Sequence, residues 1–168
     1  ITSRGNIVYF VTKPVDFYLT CKNLTEITIP SFVNKIGSDF FSGCQSLTKI
    51  IIPSSVTYID ERAFINCLSL TYITLPSTIT SINRRTFYNC PSLTHIKIPS
   101  SITSIGNESF AKCSSLIQII IPSSVKSINC GAFTGCTSLA QVLILSTSIR
   151  RIKYKTFEGC SSLMQITI

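Results

Sequence analysis

The chain has 168 residues and a formal net charge of +8, with 45% hydrophobic residues, seven glycines, seven prolines and eight cysteines. That length can bury a sizeable core, and so few glycines and prolines exclude collagen-like or flexible low-complexity chains. Mean hydropathy is high at +0.40, yet no apolar run approaches the roughly 18 residues of a membrane helix, so no membrane insertion is expected of this segment.

Residues 1–20 carry one apolar stretch, Ile7 to Val11, that reads as a strand, followed by Phe17 and Tyr18. From Cys21 onward the chain is periodic. Cys21, Cys44, Cys67, Cys90, Cys113 and Cys136 are each 23 residues apart, and Cys160 follows after 24. A fixed period of this length signals a solenoid whose units pack on their neighbours. Residues 1–20 are then a degenerate N-terminal coil or cap, and 21–168 an array of about six full repeats and a truncated last one. The chain begins at Ile1 without Met and stops at Ile168 inside a repeat. Both ends suggest a processed protein or a fragment. Further repeats are expected to follow, or else end-to-end self-association to hide the open strand edge.

Each unit runs in the same order. Three residues after the cysteine stands a leucine, as at Leu47, Leu70 and Leu93. Six and eight after it stand Ile50 and Ile52, Ile73 and Leu75, Ile96 and Ile98, and their equivalents. Apolar residues at period two mark a short strand with one buried face. Pro30, Pro53, Pro76, Pro99 and Pro122 then close the strands, because proline cannot donate to a sheet ladder. A second apolar pair follows, such as Val56/Ile59 or Ile102/Ile105, and a phenylalanine three before each cysteine: Phe41, Phe64, Phe87, Phe110, Phe133 and Phe157. The run from the second isoleucine to the cysteine predicts a short helical or 3-10 turn. Stacked coils predict a parallel β-sheet on the concave face, with the return segments on the convex side.

The leucine, the two strand isoleucines, the proline, the I-G-x-x-x-F segment seen at Ile105-Gly106 through Phe110, and the closing Cys113 resemble the repeat of the BspA-like, Treponema pallidum-type leucine-rich repeat family. The resemblance covers residues 21–168 and implies an α/β leucine-rich repeat solenoid, a curved stack of 23-residue coils. It also implies a non-enzymatic adhesin, at the cell surface or secreted, recognising host extracellular-matrix or cell-surface proteins. Departures are local. Leu145 replaces proline, and one residue is inserted before Ile149. Asp60, Asn83, Asn129 and Lys153 stand where Gly37 and Gly106 follow isoleucine. Asp and Asn tolerate left-handed geometry, so Lys153 is where a deviation is expected.

The constant cysteines invite metal or disulfide readings. No C-x-x-C pair exists, and the sole histidine, His95, lies elsewhere in the unit, so zinc spacing fails. Equivalent cysteines in adjacent coils point the same way at strand spacing, which favours a ladder of buried thiols over disulfides. Cys130, out of register, is expected on the return side. No nucleophile, base and acid converge in the sequence, and no cofactor motif is present. The chain therefore reads as non-catalytic, without metal or cofactor. Asn23 and Asn107 head N-x-[S/T] tripeptides, a weak signal.

The positions between the buried strand residues should point outward and form a ligand-binding surface. They are Lys49, Tyr72, His95, Gln118 and Gln141 in one row, and Ile51, Thr74, Lys97, Ile120 and Leu143 in the other. Tyrosine beside charge and apolar contacts suits protein recognition, although β-branched residues also suit any strand surface. The alternative site is basic: Arg62, Arg84, Arg85, Arg150, Arg151, Lys153 and Lys155 would bind a polyanion such as an acidic polysaccharide or nucleic acid. Dispersed charge of this kind also serves solubility alone.

Overall fold

The computed structural model describes residues 21–168. The expected N-terminal coil or cap, with its strand at Ile7 to Val11, lies outside them. The chain winds as a succession of near-identical coils, each contributing one three- or four-residue strand and, in most coils, a two-residue return strand. In chain order these are β1 (Glu26–Thr28), β2 (Lys35–Ile36), β3 (Lys49–Ile51), β4 (Tyr58–Ile59), β5 (Tyr72–Thr74) and β6 (Ser81–Ile82). There follow β7 (His95–Lys97), β8 (Ser104–Ile105), β9 (Gln118–Ile121), β10 (Ser127–Ile128), β11 (Gln141–Ile144) and β12 (Gln165–Thr167). The longer strands pair in parallel in the orders β1-β3-β5-β7 and β9-β11-β12; the return strands pair as β2-β4 and β6-β8-β10.

Register follows the repeat. Ile27 faces Ile50, Ile73 faces Ile96 and Ile119 faces Val142. All six are buried, while the residues on either side of each point out or are partly covered. One face of the sheet therefore belongs to the core and one to solvent. Leu47, Leu70, Leu93, Leu116 and Leu139 and the pairs Val56/Ile59 and Ile102/Ile105 close the same core from the other sides.

Through this core runs a continuous aromatic column. Phe41, Phe64, Phe87, Phe110, Phe133 and Phe157 stack with centroids 5.2–5.6 Å apart and planes within 11° of parallel. Parallel strands lie about 4.8 Å apart. The return side is thus slightly longer per coil than the strand side, which bends the stack toward the strands.

Among the described residues, the segments before Cys44 and the later in-register cysteines are made of 3-10-type turns and contain no helix. Cys44, Cys67, Cys113, Cys136 and Cys160 donate their amides to the phenylalanine carbonyl three residues back. Alternate amides do something else: those of Arg85, Phe87 and Asn89 donate to Asn107, Ser109 and Ala111 of the next coil, at 2.8–2.9 Å. Reaching across requires two left-handed residues per coil, five and one before the cysteine. They are Asp39 and Gly43, Arg62 and Asn66, Arg85 and Asn89, Glu108 and Lys112, Gly131 and Gly135, and Lys155 and Gly159. Amides committed to a neighbouring coil cannot also close i→i−4 rings.

Left-handed geometry therefore falls elsewhere than at the position of Gly37 and Gly106, where neither the glycines nor Asp60, Asn83, Asn129 and Lys153 have positive φ. At Gly106 close approach is the constraint, since a Cβ would lie 2.6 Å from the Asn83 carbonyl carbon. The irregular coil is the one with Leu145 and the inserted residue. No return strand forms over 146–153, and Ile152 is exposed.

The thiol ladder also needs one correction. Cys21 and Cys44 are bridged as a disulfide, with Cα atoms 5.0 Å apart. That coil spacing lies inside the disulfide range, so parallel stacking does not forbid a bridge. Cys67, Cys90, Cys113, Cys136 and Cys160 remain free and buried.

Candidate functional site

The strand sheet's outward face is built by the alternation that buries its other face. Lys49, Tyr72, His95, Gln118 and Gln141 are all exposed, as are Ile51, Thr74, Lys97 and Ile120; Leu143 is half-buried. Pairing sets them side by side. Lys49 faces Tyr72, Tyr72 faces His95, and Thr74 faces Lys97. Gln118 faces Gln141, and Ile120 faces Leu143. The Thr74 hydroxyl donates to the Tyr72 hydroxyl at 3.2 Å, and His95 Nδ1 lies 3.0 Å from Thr94 Oγ1. Residues 23 positions apart thus form one surface with little chain left to order on binding.

A third column, at the residue just before each strand, was not anticipated from sequence. Four residues after the cysteines, Thr48, Thr71 and Thr94 each donate a hydroxyl to the threonine carbonyl one coil back, at 2.9–3.4 Å. In later coils the same column carries Ile117, Ala140 and Met164, with Ile117 and Met164 exposed. The face is therefore divided. Its earlier coils present Lys49, Tyr72, His95 and Lys97, and its later coils present Ile117, Ile120, Leu143 and Met164 beside the glutamines. The change from threonine to apolar residues at one column was the available signal.

The basic residues do not come together as one patch. Arg62 pairs with Asp39 across one coil spacing at 2.9 Å, and Arg85 pairs with Glu108 in the next coil. Lys155 pairs with Glu158 at 3.1 Å, and Lys153 donates to Asn129. Arg84, Arg150 and Arg151 are exposed and make no ion pair among the described residues.

The buried thiols are structural groups. Each donates to a phenylalanine carbonyl of the preceding coil: Cys67 to Phe41, Cys90 to Phe64 and Cys113 to Phe87, all at 3.2 Å. Burial pushes the Cys136 thiol up to about 12 and raises Cys113 and Cys160 as well. For Cys67 a hydrogen bond with Cys90 leads, with burial second. Such thiols stay protonated and unreactive at neutral pH. The His95 imidazole sits on the exposed face, apart from these thiols, so no Cys-His pair is assembled. Among the described residues no three His, Cys, Asp or Glu side chains gather as a metal site, and no helix is long and apolar enough to cross a membrane.

A parallel-strand solenoid of 23-residue coils with an exposed sheet face defines a leucine-rich repeat scaffold. The chain belongs to the BspA type leucine rich repeat family, whose pattern matches residues 14–140 and 80–168 in six copies. It is similar to the solved leucine-rich repeat protein of T. pallidum, at 35% identity and TM-score 0.81, over 84% of this chain and 68% of that one. A leucine-rich repeat protein of Bacteroides ovatus matches at 36% identity and TM-score 0.81, over 84% of this chain and 39% of its own. One from Eubacterium ventriosum matches at 28% and 0.75, over 86% and 39%. The chain thus spans about two thirds of the first relative and well under half of the other two. No curated protein matches it. Scaffolds of this family and fold are typically non-enzymatic and serve binding.

Proposed function

We propose that this array is a non-catalytic protein-recognition module that engages its ligand on the outward face of the strand sheet. We further propose that the parent protein displays it at a cell surface or secretes it as an adhesin for host extracellular-matrix or cell-surface proteins. The observation that carries the reading is the register of Tyr72 with His95 and of Thr74 with Lys97. It fixes an aromatic ring beside two basic groups on a backbone held from both sides by neighbouring coils. Next to them, Ile117 and Ile120 keep 47% and 46% of their surface exposed, which leaves apolar area for a partner to cover. Rigid aromatic anchors flanked by charge and apolar surface are the usual carriers of interface affinity. Family membership supports the adhesin reading.

The test is binding of the array to immobilised extracellular-matrix proteins and to fixed epithelial cells, comparing the native chain with Tyr72→Ala/Lys97→Ala. Both side chains are exposed, so the fold should stay intact, and binding to any matrix protein that the native chain retains should fall. Undiminished binding by the double variant would exclude this face as the main site.

A further inference from the structure

The return side carries a trough that the strand-face reading does not use. Its origin is legible coil by coil. Six residues before the cysteines the column reads Arg84, Asn107, Cys130 and Tyr154; two before them it reads Tyr88, Ala111, Thr134 and Glu158. Two coils with small residues, floored by Ala111, Gly131 and Thr134, lie between two coils with large ones. The result is a groove of about 400 Å³, walled by Arg84 and Tyr88 at one end and Tyr154, Lys155 and Glu158 at the other. Adjacent coils here are 5.3–5.6 Å apart. Three such spacings put the two walls about 16 Å from each other. The volume lies in the range of small-ligand sites.

The chemistry of the walls selects the occupant. Lys112 stands 5.4 Å from the Tyr88 ring centre and Lys155 stands 5.3 Å from that of Tyr154. Arg84 and Lys112 make no ion pair among the described residues, so two cations remain for an anionic ligand. Glu108 and Glu158 also line the trough, held by Arg85 and Lys155. Carboxylates accept hydrogen bonds from hydroxyl groups and repel an uninterrupted row of phosphates. Tyr154 is 73% exposed and offers ring surface to an apolar sugar face.

We propose that this trough binds a short segment of an acidic polysaccharide, with sugar hydroxyls on Glu108 and Glu158, carboxylate or sulfate groups on Arg84 and Lys112, and a sugar ring against Tyr154. The site is separate from the strand face and stands or falls independently of it.

Cys130 supplies the probe, because it lines the trough and is the exposed free cysteine among the described residues. Alkylation of Cys130 by N-ethylmaleimide is followed with a heparin hexasaccharide, a hyaluronan hexasaccharide, cellohexaose or a thymidine dodecanucleotide present. The acidic hexasaccharides, or one of them, should slow alkylation, and cellohexaose should not. Tyr154→Ala and Lys112→Gln should each weaken oligosaccharide binding, measured by calorimetry, by about tenfold, as loss of one charged or stacking contact does. Arg150→Gln/Arg151→Gln, outside the trough, should leave it within twofold, and Tyr72→Ala/Lys97→Ala should leave it unchanged. No protection of Cys130 by either acidic sugar would overturn the proposal. So would equal protection by the oligonucleotide, or a loss in the Arg150/Arg151 variant as large as that of Lys112→Gln, because each would mean general attraction of polyanions.

Discussion

The Phe64 carbonyl accepts two hydrogen bonds, one from the Cys67 amide three residues on and one from the Cys90 thiol of the next coil at 3.2 Å. A carbonyl has two lone pairs to satisfy, and a cysteine at this position fills the second while fitting a small apolar gap. This explains the constant cysteine without any redox or metal role. Cys90→Ala should lower stability by about 1–2 kcal/mol through the lost bond and the small cavity, read as a shift of the urea midpoint.

The same ladder predicts sensitivity to alkali. The Cys136 thiol is raised from its ordinary 9.0 to about 12. A raised pKa favours the protonated form in the folded state, so its contribution is complete below about pH 9 and is lost as pH climbs toward 12. The slope is at most about 1.4 kcal/mol per pH unit for each such thiol. Urea unfolding at pH 8 and pH 10.5 should show the native array weakening, with a shallower fall in Cys136→Ala. An equal fall in both would mean that this thiol does not titrate with unfolding.

The aromatic column makes position along the stack matter. Phe87 is fully buried, with a ring on each side at 5.4 Å. Phe157 is half-buried and stacks on Phe133 alone among the described rings. Phe87→Ala should cost about 3–5 kcal/mol, and Phe157→Ala distinctly less. Denaturant melts of both variants check the order, and comparable losses would mean the column does not act through neighbours.

The left-handed positions differ in their residues, which gives an internal control. Gly135 has φ +71, and an added Cβ would meet nothing nearer than 3.7 Å. Gly135→Ala should therefore cost about 1 kcal/mol from backbone strain alone. Gly135→Asn should cost less, because Asn66 and Asn89 already hold the equivalent position at φ 61 and 58. Thermal melts of the two variants give the comparison.

The buried columns could be read from sequence because one physical rule, alternation on a strand, repeats with a fixed period. Ile50, Ile73 and Ile96 reveal one another, and their outward neighbours Lys49, Tyr72 and His95 follow with no further information. The return run was less legible. Its left-handed residues include Arg62, Arg85, Glu108, Lys112 and Lys155, types that carry no left-handed signature; Asp39, Gly43, Asn66, Asn89, Gly131, Gly135 and Gly159 do. Gly106 does carry such a signature, yet its constraint is close approach. The second residue after three of the prolines, Pro53, Pro76 and Pro122, was also less legible. Ser55, Thr78 and Ser124 donate to carbonyls one coil back at 2.5–2.7 Å, an interaction between coils that no single unit displays. The return-side trough was hidden for the same reason, since it arises from differences among four successive coils.

The amides of Asp39, Phe41 and Gly43 all reach forward, to Glu61, Ala63 and Ile65, and each later coil repeats the sense. On this side every coil therefore has a donor rim facing its successor and an acceptor rim facing its predecessor. Twofold pairing of like rims would set donors against donors. On this side a head-to-tail joint between two arrays would match donors to acceptors; such a joint is heterologous and would propagate as an open filament instead of closing as a dimer.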